Sequence, residues 1–248
     1  MKKMLILGIV AAMACASAAY AYPSLAGITG NGVLPTAAVV PAGQFNAALD
    51  YYNTNSDGLK STYPLRVVYG VMDGLEVGAG YTMVKTDGDD VNAWNIDAKY
   101  VLPFKELAGF SLAAGARYGS TSGGAKIKAT DLYVAATRAF DLSELKLDAT
   151  LGVNWEKLSG DVDQSGIRFF VGLGTTLANK LSLAAEFQTK KDNMDAKALW
   201  DVVARYPFTD MFSGEIGYGN YFGTGFIGAN KSNLFVGVNA TFGGKAAE

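Results

Sequence analysis

Histidine is absent from all 248 residues, and cysteine occurs once, at Cys15. Without an imidazole, a serine hydrolase with a histidine base is excluded in its usual form, and so is histidine-ligated zinc. Long apolar runs are equally scarce. Beyond residue 21 none approaches the ~20 residues that a membrane-spanning helix needs. Nor does one sign of charge dominate: 21 Lys and Arg face 23 Asp and Glu, so no basic excess points to nucleic acid. If this chain crosses a membrane, it does so with strands.

The first residues address the chain to a compartment. Lys2 and Lys3 precede the apolar run "MLILGIVAAMACASAA", and "AYA" (19–21) supplies small residues for cleavage. That layout predicts a secretory signal peptide over 1–21 and a mature chain beginning at Tyr22. A lipoprotein site at Cys15, within "AMAC", is the rival, but Ala12 stands where leucine is usual. Cleavage after Ala21 removes the cysteine with Lys2 and Lys3, leaving 19 basic residues (21 less two) against 23 acidic, a net charge of −4. No disulfide, thiol nucleophile or thiolate metal site then survives.

What is present is alternation. In "LKLDATLGVNW" (145–155) Leu145, Leu147, Ala149, Leu151, Val153 and Trp155 occupy every second position, with Lys146, Asp148, Thr150, Gly152 and Asn154 between them. A period of two is a β-strand with one apolar and one polar face. Twelve such segments follow a leader: 44–52, 61–70, 75–84, 92–102, 110–118, 129–140, 145–155, 166–177, 181–190, 197–208, 213–221 and 232–242. In the sixth, Asp131 and Arg138 fall on opposite parities, which predicts a bulge or a different register there. Connections alternate in kind. "VMDG", "PFKELAG", "DLSE", "ANK" and "TDMF" are short; "NTNSDGLK", "KTDGDDV", "GSTSGGAKIK", "EKLSGDVDQS", "KDNMDA" and "FGTGFIGANK" are mostly longer and more polar. Short turns at one end and long loops at the other predict an all-β, up-and-down antiparallel transmembrane barrel spanning 44–242, with a tail over 243–248. Eleven residues rising ~3.3 Å each at ~40° tilt span roughly 28 Å, near the ~25 Å apolar band of such barrels.

Two patterns set the apolar face toward lipid. Aromatics of that parity collect at strand ends, namely Tyr51, Tyr63, Tyr69, Trp94, Tyr100, Phe110, Tyr118, Trp155, Tyr206 and Phe242, as interfacial girdles do. The other parity carries Arg66, Glu76, Asp97, Lys99, Arg117, Lys146, Asp148, Arg168, Glu186, Asp201, Arg205 and Glu215, together with many glycines. Glycine weakens a solvent-facing strand but makes room inside a closed barrel. These twelve charged residues are therefore the candidate pore lining. With both signs represented, they either sit on opposite walls of a narrow aqueous channel or pair across the lumen and close it.

The chain resembles a bacterial outer-membrane β-barrel of the porin-like kind along all twelve strands. "RVVYGVMDGLEVGAGY" (66–81) is similar to a hairpin common in such proteins: an Arg-bearing strand, a tight turn and an acid-bearing strand. The final strand, alternating from Leu234 to Phe242, resembles the C-terminal signal read by the barrel-insertion machinery, although "GGKAAE" follows the aromatic. The leader "GITGNGVLPTAAVVPAGQF" (27–45) is similar, through "LPTA" and "PAG", to the start of barrels linked to exopolysaccharide production. The resemblance implies an outer-membrane location, lipid and small polar solutes as partners, and no cofactor.

Chemistry is thinly represented. Asp97 and Asp148 form a conceivable acid–base pair, weighed against solvated or salt-bridged lumen charges. "KTDGDD" is either a solvated turn or a divalent-cation tip, without the spacing of a full calcium loop. "SGGAKIK" lacks a P-loop context. Phe222, Phe226 and Ile227 place apolar side chains in a loop expected to face water. Residues 22–43, with Pro23, Pro35 and Pro41, suit an extended periplasmic leader or a plug in the lumen. A non-enzymatic, weakly selective passive channel for small polar solutes is the leading expectation. A closed structural or surface-interaction barrel and an accessory barrel for exopolysaccharide production are the alternatives.

Overall fold

The computed structural model describes residues 22–56, 58–107, 109–142, 145–177, 181–191, 198–220 and 232–243. The signal peptide expected over 1–21, the loop residues Phe222, Phe226 and Ile227, and the tail from 244 lie outside these. Alternation becomes strand throughout. The strands are β1 (Phe45–Ser56), β2 (Leu59–Met72), β3 (Leu75–Thr86), β4 (Val91–Leu107), β5 (Phe110–Gly123), β6 (Ile127–Leu142), β7 (Leu145–Gly160), β8 (Gln164–Leu177), β9 (Leu181–Gln188), β10 (Leu199–Pro207), β11 (Phe212–Gly219) and β12 (Asn233–Phe242).

Each strand pairs antiparallel with its chain neighbours, and β12 returns to β1, from Phe45↔Phe242 to Tyr52↔Phe235, to close the barrel. Closure removes the two unpaired sheet edges that an open meander would present. At the end where β1 begins and β12 finishes, β2 and β3 join through Asp73-Gly74, with Gly74 at φ +79°, a backbone conformation that favours glycine.

Several expected loops are strand instead. β5 runs on to Gly123 and β6 starts at Ile127; β7 reaches Gly160 and β8 starts at Gln164. "GSTSGGAKIK" and "EKLSGDVDQS" are thus mostly ladder. Polar side chains suit a hairpin wetted on both faces, where pairing continues without an apolar side to bury. The irregularity expected in the sixth strand is absent: β6 keeps one register against β5 and β7. Asp131 faces Arg117 inside, whereas Arg138 points outward near the turn, its guanidinium over the rings of Phe140 at 4.9 Å and Phe110 at 5.6 Å. Opposite parities there record a cation snorkelling at the outer rim, not a bulge.

Burial is inverted relative to a soluble protein. Leu151 is 52% exposed and Ile167 54%, while Arg168 is 1% and Glu76 0%. The apolar parity faces out on every strand and the charged parity faces in.

Candidate functional site: the lumen and its internal segment

Residues 22–43 occupy the lumen. Two isolated bridges, Pro23↔Thr29 and Gly30↔Pro35, fold the segment on itself, and a third, Ala42↔Gly70, leads it out beside β2 before β1 begins. Gly70 has to be glycine, because a Cβ there would stand 2.0 Å from the carbonyl oxygen of Pro41.

Opposite walls hold this segment. On β3, Glu76 accepts hydrogen bonds from Thr29 N (2.8 Å), Thr29 Oγ1 (2.6 Å) and Val40 N (2.8 Å). Its register partner on β4, Lys99, bridges to it at 2.9 Å and donates to the carbonyl of Thr29 at 2.7 Å. On β9, Glu186 accepts from Val33 N at 2.7 Å and Leu34 N at 3.1 Å. Two arginines take up carbonyls: Arg66 donates to Pro23 O at 2.8 Å, and Arg205 donates to Asn31 O. Thr137 on β6 receives the amide of Ala37 at 2.9 Å. A segment without regular structure thus has some buried backbone groups met by wall side chains and others by bonds within itself, such as Ser24 N to Ile28 O at 2.7 Å, as buried amides and carbonyls require.

The remaining charges pair along the walls. Arg66 bridges Asp50 and, at 3.2 Å, Glu215, which Arg205 also reaches at 2.6 Å. Arg117 contacts Asp97 at 2.5 Å and Asp131 at 3.6 Å. Asn154 then donates to Asp131 (3.0 Å), Gln188 to Asn154 (2.8 Å) and Arg168 to Gln188 (3.1 Å). Glu156 closes this belt between Arg168, at 3.6 Å, and Lys191.

Of the charged residues expected to line the lumen, Arg66, Glu76, Asp97, Lys99, Arg168, Glu186, Asp201, Arg205 and Glu215 are buried inside, and Arg117 is half-buried there. Lys146 and Asp148 share the inward parity but stand exposed at the end of β7 by its turn, outside the network. Asp97 and Asp148 therefore make no acid–base pair. Asp201 faces Glu186 across the β9–β10 ladder, and neither of its carboxylate oxygens accepts a hydrogen bond among the described residues. In the loop after β3, Asp90 is bridged by Lys85 at 2.5 Å and Asp87 by Lys60 at 3.1 Å. Those carboxylates are met by lysines, and no group of three or more His, Cys, Asp or Glu among the described residues is placed to hold a metal.

The outward aromatics form two belts. Tyr51 with Tyr63, Trp94 with Tyr118, and Trp155 lie toward the end away from the start of β1. Tyr69, Tyr100, Tyr206 and Phe242 lie toward the end where β1 begins, Phe242 beside Phe45 and Tyr206 beside Phe208. Asp50, Asp131, Glu156 and Lys191 escaped the sequence reading, and so did the inward aromatics Tyr52, Tyr133, Phe170 and Phe235. Asp50 and Asp131 lay within the strands read and were passed over, Glu156 fell one residue beyond the limit drawn at 155, Lys191 lies past the end of β9, and an inward face read as charge and glycine alone hid the aromatics.

No family model matches the chain, and no curated protein matches it in sequence. Solved structures do. It is similar to the KdgM porin at 13% identity and a TM-score of 0.57, over 80% of this chain and 99% of that one. It is similar to the NanC porin at 14% identity and TM-score 0.55, over 81% of this chain and 100% of that one. An outer-membrane channel from Pseudomonas putida F1 aligns at 13% identity and TM-score 0.53, over 85% of this chain and 100% of that one. At such identities the likeness is one of fold. This chain is a closed twelve-strand β-barrel with the fold of outer-membrane porins.

Proposed function

We propose that the protein is an outer-membrane channel, exported through residues 1–21 as a signal peptide, that passes small polar solutes around an internal segment, residues 22–43. One observation carries this reading: charged side chains ring the inside while the outside is an apolar surface between two aromatic belts. Lipid solvates such an exterior and water or paired ions such an interior. The lining residues act through their fixed hydrogen-bonding groups, and both signs of charge lie within reach of any solute, so ion selectivity is weak. No step of bond making is assigned to them.

A second reading, a closed structural barrel, is favoured by the hydrogen bonds that tie the inner segment to Glu76 and Glu186. Planar-bilayer recording distinguishes the two. Full-length protein is expected to give small conductance steps with little preference for cation or anion, and deletion of residues 23–41 is expected to enlarge them. Silence from both forms would remove the channel and leave the closed barrel.

A further inference from the structure

The lumen is unevenly filled. Near β1, β2, β3, β10 and β12 an apolar cluster occupies it: Tyr52 stacks on Phe235 at 4.8 Å, Leu59, Val84 and Val203 are buried alongside, and Leu25 and Val33 pack against them. Toward β4 to β9 a cavity of about 200 Å³ remains between the inner segment and the wall. Since one water needs roughly 10–15 Å³ on this measure, the space suits on the order of a dozen waters or one small ring bearing hydroxyls.

Its surface has two characters. Leu25, Leu34 and Pro35 of the inner segment make an apolar side, and the belt of Arg117, Asp131, Asn154 and Arg168 makes a polar one. Every charge in that belt already has a counter-charge: Arg117 stands between Asp97 and Asp131, and Glu156 between Arg168 and Lys191. A charged ligand would have to break one of these pairs and leave a buried ion unmatched, which is strongly unfavourable. A neutral ligand breaks none. The belt still offers acceptors and donors at fixed places, the carboxylate of Asp131 and the guanidinium of Arg117 among them.

The ring of Tyr133 closes one side of the cavity and is 4% exposed; its phenolic oxygen is buried and has no hydrogen-bond partner among the described residues. The ring lies against β5 at Gly115, where a Cβ would come within 2.1 Å of that oxygen. Glycine at 115 is what lets the phenol lie there. That hydroxyl is thus turned to the wall, and the partly exposed carboxylate of Asp131 and guanidinium of Arg117 are the groups a solute can reach.

We infer that the cavity binds a neutral polyhydroxylated solute the size of one sugar ring or a linear polyol, Asp131 and Arg117 meeting its hydroxyls and Leu34 and Pro35 its apolar face. This rests on the channel reading of the same lumen, for which the cavity would be the wide part of the path.

Isothermal titration of the purified full-length protein in detergent tests it with glucose, galactose and sorbitol, and with glucuronate as the charged counterpart. At least one neutral solute is expected to bind saturably, and glucuronate more weakly by about fivefold or more, because its carboxylate meets paired charges. Asp131→Ala is expected to weaken the neutral solute about five- to tenfold through one lost hydrogen bond. Ala129→Phe, which sets a ring into the cavity from β6, is expected to abolish binding. Should one variant fail to fold, the other still decides. No saturable binding by any neutral solute, tighter binding of glucuronate, or wild-type binding by Asp131→Ala would each overturn the inference. Conductance on the same preparation keeps the two ideas apart. Binding without current removes the channel and leaves the site, whereas current without binding does the reverse.

Discussion

Glu76 and Glu186 stand on β3 and β9, six strands apart in either direction around the closed wall, and each accepts backbone amides from the same inner segment. The segment is thereby slung across the lumen between two carboxylates, and the lumen charge has a structural task as well as a lining one. Hydrogen bonds to a charged acceptor are stronger than neutral ones.

Replacing one of the two anchors is therefore expected to loosen one end of the sling. In Glu186→Gln the amides of Val33 and Leu34 keep an acceptor of the same shape without its charge. Their hydrogen exchange is expected to quicken roughly five- to tenfold, while amides on β7 and β8 keep their wild-type rates. Unchanged exchange at 33 and 34 would mean that Glu186 does not hold the segment in solution.

Lys99 is fully buried against Glu76. Lys99→Met leaves that carboxylate without its counter-ion and is expected to cost about 3–5 kcal/mol of unfolding free energy. The double variant Glu76→Gln, Lys99→Met removes both charges and is expected to cost less than the single one. Urea unfolding from lipid vesicles measures both. A double variant no more stable than Lys99→Met would show that the pair's charge is not what matters.

The outer face gives a depth-dependent signature. Leu151 lies midway along the apolar band, and Tyr206 lies in the aromatic belt near the start of β1. Leu151→Arg is expected to destabilise the barrel in a bilayer by about 2–4 kcal/mol and Tyr206→Arg by about 1 or less from the charge itself. Equal costs at the two positions would take lipid away from this face.

In the loop after β3, the Lys85 ammonium hydrogen-bonds Asp90 and holds its carboxyl below the usual carboxylate range. With the folded pKa below the unfolded one, the pair's stabilising contribution is present above the unfolded pKa and is lost as pH falls through the folded value. Both groups are exposed, so the contribution is small and weakens with salt. Carboxyl NMR titration of Lys85→Met is expected to return Asp90 upward to its ordinary range. No movement would show that the pair is absent in solution.

Much of the fold was legible in the chain because a strand writes its two faces into alternate residues. The stretch 145–155 stated both its conformation and its sidedness, and Glu76, Lys99, Arg168 and Glu186 could be assigned inward on parity alone. Arg138 shows where parity misleads. Its place in β6 looked like a fault in the strand, and only the neighbouring rings of Phe110 and Phe140 show how a cation stands on the outer face. Residues 22–43 show a second limit: lacking a period, they carry no local sign of what satisfies their amides.

The chain's own order of residues determined the strand number, the antiparallel succession and which face meets lipid, since a period of two and the lengths of turns are local properties. Tertiary structure alone decided that the inner segment hangs between Glu76 and Glu186 and that Arg117 lies between Asp97 and Asp131. Those facts depend on groups brought together from distant positions. Their energies come from burial and pairing across the closed wall, which no single strand encodes.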